Sequence, residues 1–169
     1  MKMFQNKVAF VTGGTTGIGR ATAVAFGREG ASVAITGRRE AEGRETVRLV
    51  EQTGAKAIFL RADMSKEAEV SAAVDATVKA FGRLDAAFNN AGVEETPGPL
   101  LERTQKEFDL VFGVNVWGVL ASLKHEVRAM RANGGGAIVN NASIAGLIGM
   151  GTFPIYVASK HAEIGRAHV

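Results

Sequence analysis

Apolar and polar positions along this chain fall into alternating blocks. Short apolar runs at 7–12, 32–36, 55–61, 84–89 and 137–141 end in glycine, asparagine or charged residues, as buried strands do. Between them lie longer stretches with helical spacing. Residues 19–29 are rich in alanine with Val24 and Phe26, and 40–53 offer Val47, Leu49 and Val50 for burial; 66–81 form a third helix. Gly30, Gly54 and Gly82 stop these three in turn. Thr104 and Glu107 make a capping-box pair that opens a long helix over 104–132, broken by Gly134-Gly135-Gly136. A final helix begins near Phe153 to Tyr156. Strand and helix alternate without a hairpin signal, and no internal boundary or short repeat divides the chain. The pattern predicts one α/β domain over 1–169, a doubly wound parallel sheet with helices on both faces.

Composition adds limits. Twenty-one glycines are about twice the usual share, and they fall at turns rather than in a low-complexity tract. Twenty Lys and Arg oppose 17 acids, a net charge of +3 with the bases scattered, which argues against nucleic acid as the main partner. There is no cysteine, and His125, His161 and His168 lack ligand spacing, so neither disulfides nor a metal site are expected. The N-terminus runs straight into the first strand without a signal-peptide pattern, and no apolar run is long enough to span a bilayer. A soluble, cytoplasmic protein is the expectation.

The glycine turn between the first strand and first helix reads Thr12-Gly13-Gly14-Thr15-Thr16-Gly17-Ile18-Gly19. In a doubly wound sheet this turn takes a dinucleotide pyrophosphate, with backbone amides and the helix N-terminus facing the phosphates. The second strand ends at Gly37-Arg38-Arg39, where a cofactor without a 2′-phosphate would want an acid. Arginine pairs with phosphate instead, so the reading leans to NADP over NAD, with Arg38 the principal 2′-phosphate partner. Asp63 ends the third strand and could accept from the adenine amino group or cap the next helix, where Ser65 competes. Met64 adjoins it. Asn89-Asn90-Ala91-Gly92 ends the fourth strand, small enough for backbone to lie against the adenosine ribose or to make an Asx turn.

Tyr156, the sole tyrosine, precedes Lys160 by one helical turn, and Ser143 lies upstream. An ammonium held beside a phenol favours the phenolate, so such a tyrosine can exchange a proton with a carbonyl or alcohol near neutral pH.

Taken together these residues resemble the classical short-chain dehydrogenase/reductase (SDR) family, with its Rossmann-like fold. The matches are T-G-x-x-x-G-x-G at Thr12 to Gly19, Asp63, N-N-A-G at Asn89 to Gly92, Asn115, Ser143, and Y-x-x-x-K at Tyr156 to Lys160, in family order across nearly the whole chain. The resemblance implies roles. Tyr156 is the general acid/base and Ser143 bonds the substrate oxygen. Lys160 lowers the tyrosine pKa and holds the nicotinamide ribose. Asn115 holds a water that links Lys160 to solvent. It implies a cofactor site of Gly13, Thr15, Thr16, Gly17, Ile18, Gly19, Arg38, Asp63, Met64, Asn90, Ala91 and Gly92, shared with Tyr156 and Lys160. Hydride passes between NADP(H) and a small-molecule carbonyl or secondary alcohol. Dimers and homotetramers are implied as well.

Family members run to about 250 residues as one domain, whereas this chain stops nine residues after Lys160. By resemblance it lacks its last two strands, most of the catalytic helix and the substrate loop. The ending Glu163-Ile164-Gly165-Arg166-Ala167-His168-Val169 back-translates to the start of a common sequencing adapter followed by a stop. Arg166 and His168 do not suit the apolar face expected there, so 163–169 reads as non-native sequence on a truncated gene. An exposed fifth strand is then expected, and Phe108, Val111, Phe112, Val116, Trp117 and Leu120 supply more apolar surface than one sheet face needs. Poor solubility and little turnover are expected of the chain, and activity of its full-length parent. The alternative is a nucleotide-binding fragment or sensor without turnover. The substrate is not readable: Ile144, Leu147, Ile148, Met150 and Phe153 could rim an apolar pocket or simply pack.

Overall fold

The structure, a computed structural model, describes residues 2–165. Five strands, β1 Val8–Val11, β2 Ser32–Gly37, β3 Ala57–Arg61, β4 Ala86–Asn89 and β5 Ala137–Asn140, form one sheet in the order β3-β2-β1-β4-β5. Every pairing is parallel. The order reverses between β1 and β4, and the glycine turn leaves β1 at this switch point, where open α/β sheets bind ligands.

Period-two alternation decides which helices cover which face. Val8 and Phe10 point into a core shared with α3 (Glu67–Phe81) and α5 (Val119–Arg131), through Val70, Val74, Ala121 and Met130. Ala9 and Val11 point the other way, with Ala23 of α1 (Gly17–Arg28) and Val50 of α2 (Glu40–Glu51). β1 and β2 are therefore apolar at successive positions, as strands covered on both faces must be. Gly82, with φ +83°, ends α3 as the sequence predicts.

Two expectations change. The helix expected over 104–132 is interrupted. Thr104 and Glu107 close their capping box on α4 (Gln105–Phe112), but Gly113–Gly118 is a π-helical turn before α5. The buried positions through it, Val111, Val114, Asn115, Gly118, Val119 and Ser122, still recur with helical spacing, so periodicity does not reveal it. Gly118 permits the inserted turn to sit on the chain after β3: a Cβ there would lie 2.5 Å from the Met64 carbonyl oxygen. The fifth strand is one edge of the sheet, as expected, yet only one of its faces is bare. Val139 is 59% exposed, while Ile138 packs on the core. The last helix, α6, spans Pro154–Gly165. The expectations for Arg166 and His168 lie outside the described residues.

Candidate active site

The loops at the carboxyl ends of β1 to β4 enclose a cleft of about 440 Å³. Its walls include Gly13, Thr15 and Thr16 from the turn after β1, and Arg38 and Arg39 after β2. Asp63 and Met64 follow β3, and Asn90, Ala91 and Gly92 follow β4. Gly37, Ala62, Val93 and Val114 complete it; the sequence marks Gly37 as the place where an acid would be wanted, and does not single out Ala62, Val93 or Val114.

Hydrogen bonds to backbone fix the shape of the turn. Thr12, buried at the end of β1, accepts from the Asn90 and Ala91 amides at 2.9 and 3.0 Å. Asn90 returns its side-chain NH₂ to the carbonyls of Thr12 and Gly13 at 3.2 and 3.3 Å, and Asn141 donates to its Oδ1. The Asn90 side chain thus braces the turn, and its backbone forms the cleft wall. Arg20 of α1 donates to the Thr15 carbonyl at 2.6 Å.

Gly17, Ile18 and Gly19 do not line the cleft. Gly17 holds φ +53°, and a Cβ there would meet nothing within 4 Å; Ile18 is exposed. Gly19 is required by packing, since a Cβ would collide with the Gly13 carbonyl oxygen. Thr16 makes no side-chain capping bond to α1, and no acid sits in the first turn, so the first amides and their partial positive charge are left for an anion. The residues present fit a dinucleotide pyrophosphate.

The two arginines differ. Arg39 donates to the Thr16 hydroxyl at 2.8 Å and pairs with Glu42 at 3.7 Å. Arg38 makes no hydrogen bond or ion pair among the described residues and lines the cleft. Asp63 is neither a helix cap nor unattached. Lys66 takes the cap position of α3, and Asp63 Oδ1 accepts from the Ser65 amide and hydroxyl at 3.1 and 2.8 Å. Burial pushes the Asp63 carboxyl up, but those bonds and the charges of Arg38 and Lys66 outweigh it, and the group stays below its ordinary range.

On the far side of Gly92 lies the second group, Ser143, Tyr156 and Lys160, which does not itself line the cleft. Lys160 is buried, with Nζ 3.3 Å from the Asn141 carbonyl and 5.7 Å from the centre of the Tyr156 ring. A Cβ on Gly92 would lie 3.8 Å from that Nζ, so the lysine head abuts the cleft wall. Lys160 also bonds the buried Glu163 at 2.7 Å, a pairing absent from the sequence expectation. Ser143 caps the short turn Ile144–Gly146 by accepting from the Ala145 amide. Gly146 packs that turn on α6, where a Cβ would lie 2.7 Å from the Lys160 carbonyl oxygen. Among the described residues no hydrogen bond joins Ser143 to Tyr156.

Asn115, in the π turn, is fully buried. It accepts from the Val93 amide at 2.9 Å and donates to the Val93 carbonyl at 2.8 Å and to the Ser159 hydroxyl at 3.0 Å. It ties the β4 loop to α6. Ile144, Leu147, Ile148 and Met150 are exposed rather than packed. Among the described residues no helix is long and apolar enough to cross a membrane.

A family model described as short chain dehydrogenase matches residues 7–168. An uncharacterized oxidoreductase of Thermotoga maritima is 43% identical over 162 residues, covering 96% of this chain and 63% of the relative. Levodione reductase of Leifsonia aquatica is 40% identical over 165 residues, covering 96% and 61%. A crystal structure of levodione reductase superposes with TM-score 0.92 at 39% identity, over 96% of this chain and 64% of that one. NAD⁺-bound xylitol dehydrogenase superposes with TM-score 0.93 at 34% identity, over 96% and 63%. The chain spans about three fifths of the length of these curated relatives.

Proposed function

Because this chain belongs to the short-chain dehydrogenase family, we propose that it is the cofactor-binding and proton-handling part of an NADP(H)-dependent oxidoreductase acting on a carbonyl or secondary alcohol. One observation carries the reading: the cleft formed by the glycine turn, Arg38 and Asn90 to Gly92 runs up to the buried head of Lys160, one turn from Tyr156. When bound, the nicotinamide supplies or accepts the hydride. The amides of the glycine turn and α1 hold the pyrophosphate, and Arg38 takes the 2′-phosphate, with Arg39 already engaged on Thr16. Asp63 and Met64 flank the adenine. Tyr156 gives or takes the proton at the substrate oxygen, Ser143 bonds that oxygen, and Lys160 supports the tyrosine through its charge. Asn115 holds the Lys160 surroundings in place for proton relay. NAD in the xylitol dehydrogenase relative leaves the general nicotinamide assignment intact; the arginines in this chain favour NADP.

The exposed Phe108, Leu110, Trp117 and Leu120 support self-association as a homodimer or homotetramer, and a cytoplasmic, soluble location goes with this reading. The Lys160–Glu163 pair favours a second reading for the chain by itself, a dinucleotide binder without turnover, because it occupies the ammonium that Tyr156 needs.

A chimera tests the function: this chain completed by the segment of levodione reductase beyond the match. The reading expects NADPH-dependent reduction of a ketone, lost in Tyr156→Phe while NADPH binding persists. Equal turnover by Tyr156→Phe would overturn it.

A further inference from the structure

Glu95 is a carboxylate almost sealed from solvent, 4% exposed, on the loop that leaves β4. Both of its oxygens are aimed at one helix end. Oε1 accepts from the Ile155 amide at 2.8 Å and Oε2 from the Tyr156 amide at 2.9 Å. These are the second and third residues of α6, after Pro154, which has no amide to satisfy. A charged acceptor on two first-turn amides makes two charge-assisted bonds and meets the partial positive charge of the helix end.

The placement gives this cap more than a local meaning. The same loop forms the cleft wall at Asn90 to Val93, is clamped at Val93 by Asn115, and then reaches Tyr156 through Glu95. A further bond, from the Gly98 amide to the Thr152 carbonyl at 3.1 Å, fastens it just ahead of α6. The loop is a strut with the cleft wall at one end and the backbone of Tyr156 at the other.

We propose that Glu95 is a positioning residue for Tyr156. Its carboxylate fixes the height and rotation of the first turn of α6, and with them the stance of the Tyr156 ring over Lys160. Without it the first amides of α6 turn to water and the turn frays, carrying the ring away from the ammonium. The inference rests on the role proposed for Tyr156, but the geometry it asserts is measurable without turnover.

Tyr156 is the sole tyrosine, so an isotope-labelled tyrosine ring gives one NMR signal from one place. The chain is compared with Glu95→Gln, which keeps the size and one acceptor, and Glu95→Ala, each with and without Lys160→Met. Expected is faster hydrogen exchange at the Tyr156 amide by about tenfold or more, as for loss of a bond to a charged group. The shift that Lys160→Met produces in the ring signal should fall by about half or more in the Glu95 variants, a coupling that general destabilisation does not alter. A ring signal that responds to Lys160→Met equally in all three backgrounds would overturn the proposal. So would amides throughout the sheet accelerating in step with Tyr156, which would make Glu95 a stabilising cap only. Should Glu95→Ala not fold, Glu95→Gln decides by the same two readings. An NADPH titration run alongside separates the two levels: failure of every form to bind strikes the proposed function, while the ring and amide signals still judge Glu95.

Discussion

Replacing Thr12 by valine removes one hydroxyl from the join between the glycine turn and the β4 loop. Thr12 is 2% exposed, and its oxygen accepts both the Asn90 and the Ala91 amide, at 2.9 and 3.0 Å. Valine fills the same space and leaves both donors without a partner. Each stranded amide costs about 1–3 kcal/mol, and since Asn90 and Ala91 are only half-buried the lower part of that range applies, for a total of about 2–4 kcal/mol. In a domain of this size that lowers the Tm by roughly 4–15 °C. Thr12→Ser keeps the oxygen and loses one methyl group, worth about 1 kcal/mol. Urea unfolding of the three proteins measures the difference. Thr12→Val should fall well below Thr12→Ser, and its NADPH affinity should drop with it, because the cleft-wall residues Asn90 and Ala91 lose their shared anchor on the glycine turn. Equal midpoints for the serine and valine variants would refute the reasoning.

Burial pushes the Glu126 carboxyl from 4.5 up to about 7, against the opposing bond from Asn89. The unfolded chain gives up this proton at lower pH than the folded one, so stability is full below about 4.5 and is lost as pH rises toward about 7. The loss is on the order of 3 kcal/mol. Glu126→Gln should flatten it in urea midpoints taken across that window; an unchanged slope would refute the assignment. The carboxyls of Asp85 and Glu67 are held below their ordinary range, so their protonation falls on the acid side of this window. Asn115→Ala strips both bonds from Val93 and one from Ser159 at a fully buried site, and should cost about 2–5 kcal/mol with faster exchange at the Val93 amide. Thermal denaturation and amide exchange check it.

Much of this arrangement is legible in the chain itself. Strand and helix order follows from apolar blocks and their stops, and the glycine turn, Arg38, Asp63 and Asn90 to Gly92 converge on one cleft because parallel strands deliver their loops to the same edge. What stays hidden is contact between distant backbone and side chain. Glu95 meets amides sixty positions away and carries no local signature. The π turn around Asn115 preserves the apolar spacing that would have to betray it. Asn90 is expected as a cofactor contact, yet its side chain, like that of Thr12, is spent on bracing the turn. The Lys160–Glu163 pair joins residues one turn apart in the second half of α6, and the sequence reading does not anticipate it.

The central claim is that this cleft takes NADP(H), with Arg38 choosing the 2′-phosphate. The direct measurement is fluorescence titration of the folded chain with NADPH and NADH, repeated on Arg38→Ala. A phosphate–guanidinium contact worth about 1.5–3 kcal/mol predicts NADPH binding tighter than NADH by about tenfold or more. Arg38→Ala should bring the two within about threefold. NADH binding as tightly as NADPH to the parent chain, or a preference untouched by Arg38→Ala, would contradict the account.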